Sequence, residues 1–301
     1  MRLLTRSDFD GLACSALLEY LGIIDEYKFF HPKDIQDGLV QAGSNDILAN
    51  IPYVEGCKLW FDHHYSESER LGRDVYFEGV SKLAPSCARV IFDYYGGEEK
   101  LGHFNTMLKY VDKVDSGDLT QEEIADPKGW ILLGFIMDPR TGLGRFRNFT
   151  ISNYELMQNL AKACMDKSID EILDMDDVKE RIEVYREQAG AFEEMLKKYA
   201  KIEGNAIIVD LRGVATIHAG NRFLLYTLFP EQNISVWIVD GKNKQNAVIT
   251  VGYSIINRSA TVNVGSLLLG YNGGGHIQVG TCQADYADAD RIIREIINTV
   301  K

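Results

Sequence analysis

Short apolar runs alternate with helical stretches through the first sixty residues of this chain, and that alternation limits the fold more than any other feature. Residues 2–5, 27–30, 47–50 and 58–61 read as strands, with a helix over residues 12–21 between the first two. Such alternation predicts an α/β fold whose N-terminal part is a mostly parallel sheet with crossover helices. In sheets of this kind ligands bind beyond the carboxyl ends of the strands. The fourth run, Leu59-Trp60-Phe61, ends there in Asp62-His63-His64. A neutral imidazole is a common ligand for divalent transition metals, and a neighbouring carboxylate can fix its tautomer. Taken alone, the triplet is also compatible with a loop cap followed by two surface histidines.

Three further segments carry chemistry. Asp8 and Asp10 straddle one residue in the turn from the first strand to the first helix, where both carboxylates could face one cation. Mg²⁺ and Mn²⁺ take oxygen ligands of this kind. A helix cap by Asp10 would explain one aspartate and leave the other idle. Asp115 closes a helical pattern (Phe104, Met107, Leu108, Val111) just before Ser116-Gly117, and a solvated acidic turn is its plain alternative. Far down the chain, Gly273-Gly274-Gly275-His276 follows a periodic segment over residues 262–269. Consecutive glycines let backbone N–H groups approach a phosphate, or simply make a turn. Upstream, Arg258 offers a planar fork suited to a pair of phosphate oxygens.

In this order the four segments resemble the DHH superfamily of phosphoesterases, over essentially the whole chain. That superfamily includes RecJ-like exonucleases, nano-RNases, cyclic-dinucleotide phosphodiesterases, exopolyphosphatase-like enzymes and, more distantly, family II pyrophosphatases. Asp62-His63-His64 looks like the naming motif, Asp8 and Asp10 like the first-motif aspartates, and Asp115 like the late aspartate. Gly273–His276 looks like the signature of the associated C-terminal domain. The resemblance implies a two-metal site, usually Mn²⁺ with Mg²⁺ as the alternative, that activates water and clamps a phosphoryl group. Asp8 would serve the first metal, and Asp10, His63 and Asp115 the second. Asp62 would orient His63, while His64, Arg258 and the glycine loop would contact phosphate. Two positions depart from the pattern. Arg6 stands two residues before Asp8, where relatives place a metal-binding His or Asp, and Asn50 stands where relatives carry a bridging aspartate. The first site has thus lost a ligand and gained a cation, so the expectation is nearer one metal per chain than two. Arg6 itself, paired with Asp8, is expected to supply the missing positive charge.

The implied organisation is a phosphoesterase domain over residues 1–175, a linker helix over 176–203 and a smaller α/β substrate-binding domain over 204–301, with the active site in the cleft between domains. The linker rests on one helical face running Val178, Ile182, Tyr185, Ala189, Phe192, Leu196 and Tyr199, with Gly204 past its end. Further strands are expected at 206–210, 234–239 and 247–254, and helices near 222–228 and 288–300. At 301 residues, 46% hydrophobic and 25% charged, the chain has the composition of a soluble two-domain protein. No apolar run nears the roughly 18 residues that span a membrane, and Asp8 and Asp10 interrupt any signal-peptide pattern. Five scattered cysteines without CxxC spacing fit free thiols in a reducing cytoplasm. A net charge of −12 opposes a duplex nucleic-acid footprint. It leaves room for a small phosphorylated substrate or a short single-stranded oligonucleotide, and for a homodimer. His31 and His103 read as surface residues, and His218 as a packing residue or the start of a ligand-facing helix. The expected function is metal-assisted hydrolysis of an oligoribonucleotide, dinucleotide, nucleotide bisphosphate or polyphosphate. The rival is a nucleotide or phosphate sensor on a degenerate phosphoesterase fold.

Overall fold

The first strand, β1 (Arg2–Arg6), buries Leu3, Leu4 and Thr5 in succession. Unbroken burial of this kind marks a strand covered on both faces, as parallel sheets require. In the computed structural model, which describes residues 1–31, 34–35, 37–71 and 75–301, β1 is an inner strand of a five-stranded parallel sheet. The sheet also holds β2 (Glu26–Phe30), β3 (Asp46–Ala49), β4 (Leu59–Asp62) and the short β5 (Gly79–Ser81), in the order β2-β1-β3-β4-β5. The chain runs outward from β1 to β2 and returns to β3 on the other side of β1. That reversal opens a crevice at the carboxyl ends of β1 and β3. It sets where the side chains at the strand ends of this sheet converge.

The longer helices that surround that sheet or follow it are α1 (Phe9–Tyr20), α2 (Cys87–Tyr94), α3 (Asn105–Asp115), α4 (Gly129–Met137) and α5 (Asn153–Asp166). Helix α1 is nearly all buried because α2, α3 and α5 pack around it. Helix α4 is apolar all round and buried throughout, so only its ends reach polar groups. The long α6 (Asp176–Tyr199) follows the apolar face anticipated for it. Residues 200–203, expected to continue it, instead form the strand β6 (Ala200–Glu203), and Gly204 at φ +59° turns the chain into β7 (Ala206–Asp210) rather than capping the helix. Residues 200–203 are mostly exposed, and Ala200 and Ile202 alone make too short an alternation to read as a strand.

The second sheet is separate and mixed, in the order β10-β11-β9-β8-β7-β6, with β8 (Ile234–Asp240), β9 (Asn246–Tyr253), β10 (Gly274–Gly275) and β11 (Val279–Asp285). Only β7 and β8 pair in parallel. Its core joins Ile208, Val236, Ile249 and Val251 to Ala289, Ile293, Ile296, Ile297 and Val300 on the C-terminal helix α8 (Tyr286–Val300), with Val264 and Leu268 from α7 (Val264–Leu269). Each such aliphatic side chain contributes about 1.5–3 kcal/mol when buried. Strand β11 has no counterpart in the sequence expectations because its buried positions are Gly280, Cys282 and Ala284, too small to read as an apolar stripe. Packing divides the chain into two units, residues 1–64 with 74–187 and residues 65–73 with 188–301.

Candidate active site

The crevice at the head of the first sheet collects Arg6 and Asp8 from the end of β1, Asp10 from the first turn of α1, Asn50 from the end of β3, and Asp62, His63 and His64 from the end of β4. Asp115 joins them as the last residue of α3. Strand ends converge because parallel strands all point the same way, so eight residues from five segments meet without any loop design.

Asp8, not Asp10, caps α1: its Oδ1 accepts from the Gly11 N–H at 2.9 Å. The same Oδ1 takes the Asn50 Nδ2 donor at 3.0 Å, and Oδ2 forms a 2.9 Å ion pair with the Arg6 Nε. Asn50 holds its amide there from a left-handed backbone at φ 58°, a conformation that asparagine tolerates better than most residues. Both oxygens of Asp8 are therefore committed to donors, one of them cationic.

Asp10 is placed differently. Its carboxylate accepts the Cys87 and Ala88 N–H groups at 2.9 and 2.8 Å, the unsatisfied donors at the start of α2. Despite these bonds its pKa is raised well above the ordinary carboxylate value, by burial first and then by the charges of Asp115 and Asp8. His63 faces it. The His63 ring is almost fully buried, with Nδ1 3.2 Å from the Ala84 carbonyl oxygen. A carbonyl only accepts, so Nδ1 carries the proton and Nε2 presents a lone pair. That Nε2 lies 3.5 Å from Asp10 Oδ2 and 3.4 Å from Asp115 Oδ2. One lone pair and two carboxylate oxygens, with ligand atoms all within 4.8 Å of one another, are a donor set that a divalent cation fits.

His64 is oriented by Asp62, whose fully buried Oδ1 lies 2.8 Å from the His64 Nδ1 while its Oδ2 accepts the His64 backbone N–H at 3.2 Å. This corrects the expectation that Asp62 serves His63, which is held by a backbone carbonyl instead. The Asp62–His64 pair fixes the orientation of a partly exposed imidazole.

Two groups escaped the sequence reading. Asp112, one turn before Asp115, accepts from Ser86 Oγ and pairs with Arg89, locking the start of α2 that holds Asp10. Arg140 follows α4. Burial opposes its charge, but Asp138, and then Asp8 and Asp115, outweigh it and raise its pKa. The only trace of this in the sequence is an Asp138-Pro139-Arg140 break after an unusually apolar helix.

The remaining predicted residues lie in the second unit. Gly274 and Gly275 form β10 against β11. A Cβ on Gly273 or Gly275 would collide with the β11 backbone, and Gly275 sits at φ +149°. The N–H groups of Gly273, Gly275 and His276 are donated to the Leu268 carbonyl, Ser66 Oγ and the Val279 carbonyl. Close packing alone thus accounts for two of the glycines, and these three amides are spent inside the unit. Arg258 is exposed, its Nε donating to the Ile255 carbonyl at 3.1 Å. His218 lies 2.8 Å from Gln188 through Nδ1.

The chain belongs to the DHH superfamily of phosphoesterases and is an enzyme of that class. It is similar to a structure titled pGpG-specific phosphodiesterase PggH from Vibrio cholerae, at 46% identity, with 99% of this chain and 98% of that one covered and a TM-score of 0.76. RecJ from Thermus thermophilus, solved in complex with Mn²⁺, shares the fold at 14% identity and a TM-score of 0.50, over 97% of this chain and 51% of that one. No family model and no curated protein matches the sequence. Among the described residues no helix is long and apolar enough to cross a membrane.

Proposed function

We propose that this enzyme hydrolyses a linear dinucleotide of the pGpG type, using one divalent cation, Mn²⁺, held by Asp10, His63 and Asp115. The observation that carries the substrate is the 46% identity to the pGpG-specific enzyme over nearly the full length of both chains. When bound, the cation supplies Lewis-acid polarisation of the phosphoryl group and draws down the pKa of the attacking water. The protein's own residues do the rest. Water forms the new P–O bond as its proton passes to solvent, the bond from phosphorus to the leaving ribose oxygen breaks, and that oxygen takes a proton from Nε2 of His64, which solvent then reprotonates. Asp62 keeps Nδ1 protonated and the ring aligned throughout.

The Arg258 and His276 side chains are assigned to the substrate's phosphates, within a substrate-binding domain that begins near Gly204. The reading places the enzyme in the cytoplasm, in keeping with five free cysteines. A sensor would have no use for three converging ligands and an aligned Asp–His pair, so that alternative is not favoured.

The test is turnover by the Mn²⁺-loaded protein on a panel of pGpG, longer oligoribonucleotides, cyclic di-GMP, nucleotide bisphosphates and polyphosphate. The expected result is release of GMP from pGpG ahead of all others, and a preference for polyphosphate or cyclic di-GMP would overturn it. Arg258→Ala should raise KM for the preferred substrate by roughly 10- to 150-fold, the loss of about 1.5–3 kcal/mol of charge-assisted hydrogen bonding.

A further inference from the structure

The phosphoryl group that this site must hold is anionic, and its surroundings are too. Asp8, Asp10, Asp62 and Asp115 gather at the strand ends, against Arg6 there and Arg140, whose charge is felt by Asp8 and Asp115. A single divalent ion leaves such a site near neutrality, with no second metal to draw the substrate in. Asp8, which would ligate the first metal, has both oxygens committed to Arg6, Asn50 and Gly11. A first metal does not fit here. Something else must neutralise the phosphoryl oxygens on this side.

Arg140 is built into the position where that charge is needed. Helix α4 packs through Gly134 against Phe9 and Val114, the residues next to Asp8 and Asp115. A Cβ on Gly134 would lie 2.9 Å from the Phe9 ring and 3.3 Å from both Val114 methyls. This contact seats α4 beside the residues that flank Asp8 and Asp115. There the Asp138 N–H closes on the Gly134 carbonyl at 3.0 Å, and the nearly buried Asp138 carboxylate takes hold of Arg140. Asp138 Oδ1 accepts the Arg140 backbone N–H and Nε, both at 2.8 Å, and Oδ2 accepts Nε at 3.2 Å. One edge of the guanidinium is thus tied down. Its two terminal nitrogens donate to no described residue, and the side chain is 34% exposed. Arg6 repeats the arrangement at the end of β1, its Nε on Asp8 and its side chain 25% exposed. An arginine tied through Nε keeps four N–H donors in a fixed plane, the geometry that phosphate oxygens accept best.

We propose that Arg140 and Arg6 form a carboxylate-anchored arginine pair that binds the non-bridging oxygens of the scissile phosphoryl group in place of the first metal ion. The proposal rests on the phosphoesterase reading but not on which dinucleotide is cleaved. A fixed guanidinium stabilises charge that grows on the phosphoryl oxygens without reorganising, as arginine clamps do in phosphoryl transfer.

The experiment compares wild type, Arg140→Ala and Arg140→Lys for Mn²⁺ stoichiometry by calorimetry, for inorganic phosphate binding in the presence of Mn²⁺, and for kcat and KM on pGpG. Expected are one Mn²⁺ per chain in all three, phosphate binding weakened about 10- to 100-fold in Arg140→Ala, and a fall in kcat larger than the rise in KM. Added guanidinium chloride should restore part of the Arg140→Ala rate and none of a His63→Ala rate. Arg140→Lys, which keeps the charge and the packing, should lie between. Two Mn²⁺ per wild-type chain, or phosphate affinity unchanged in Arg140→Ala, would overturn the pair. Loss of activity in Arg140→Ala without guanidinium rescue and with a lowered melting temperature would overturn it too, since Arg140 would then serve only to neutralise Asp138. A wild type inactive on pGpG whose phosphate binding still depends on Arg140 would sink the substrate reading and leave the arginine pair standing.

Discussion

Asp8 and Asp10 differ by two positions in one turn, and the fold has given them opposite electrostatic lives. Asp8 is neutralised: a guanidinium, a side-chain amide and a helix N–H satisfy both its oxygens. Asp10 is left in debt to a cation, because two backbone amides do not offset burial beside Asp115 and Asp8, and its pKa stays raised. The same side chain is thus a structural anchor in one place and, in the function we propose, a metal ligand in the other. What decides between them is the neighbour each one finds, Arg6 for Asp8 and His63 for Asp10.

Removing the neighbour that makes Asp10 a ligand should have the largest effect. His63→Ala leaves two carboxylates without the imidazole, and Mn²⁺ binding by calorimetry together with turnover should fall to the detection floor. Retention of a full Mn²⁺ equivalent would show that the cation sits elsewhere. Next comes the attempt to make Asp8 resemble Asp10. Arg6→His combined with Asn50→Asp removes the guanidinium and restores an oxygen ligand, so metal content by elemental analysis should rise from one toward two per chain. An unchanged stoichiometry would mean that the neighbours do not set the difference.

A smaller change tests the proton path beside the metal ligands. Asp62→Asn should keep metal content but lower kcat roughly 10- to 100-fold, the usual cost of removing a carboxylate that orients a histidine. A drop in metal content instead would mean that Asp62 acts on His63 after all. The smallest effect concerns stability. Asp10 has a folded-state pKa above its unfolded value, so its contribution to stability is present below an unfolded pKa of roughly 3.9 and is lost as pH rises through the folded value. Asp115→Asn removes one of the charges responsible. In EDTA at neutral pH it should raise the melting temperature by about 2–4 °C for each kcal/mol relieved, while weakening Mn²⁺ binding. The gain should shrink toward pH 4, where Asp10 is protonated in either protein. A melting curve insensitive to both the substitution and pH would show that Asp10 is not strained.

The two sheets differ in how readily they could be read. In the first, strands such as Leu59-Trp60-Phe61 are buried on both faces and appear as plain apolar runs, so the parallel sheet and the residues at its strand ends were legible. In the second, β6 is polar and exposed and the inner face of β11 carries Gly280, Cys282 and Ala284, so neither showed a period. Arg140 was invisible for a related reason. Nothing in Asp138-Pro139-Arg140 says where it lies until Gly134 seats α4 against Phe9 and Val114.

The sequence by itself determined which chemistry was on offer: the α/β order, the Asp-His-His triplet at a strand end, the two aspartates of the first turn, and the loss of ligands at Arg6 and Asn50. Those are local properties, set by residue type and by spacing along one strand or one turn. Only the tertiary structure decided which carboxylate holds which partner. Asp62 serves His64 and a carbonyl 21 residues away serves His63, while Asp10 caps a helix 77 residues distant and Asp115 comes to within 3.4 Å of His63. A carboxylate's role depends on the charges and donors within a few ångströms, and in a parallel sheet those neighbours come from strand ends and helix starts that are remote in the chain.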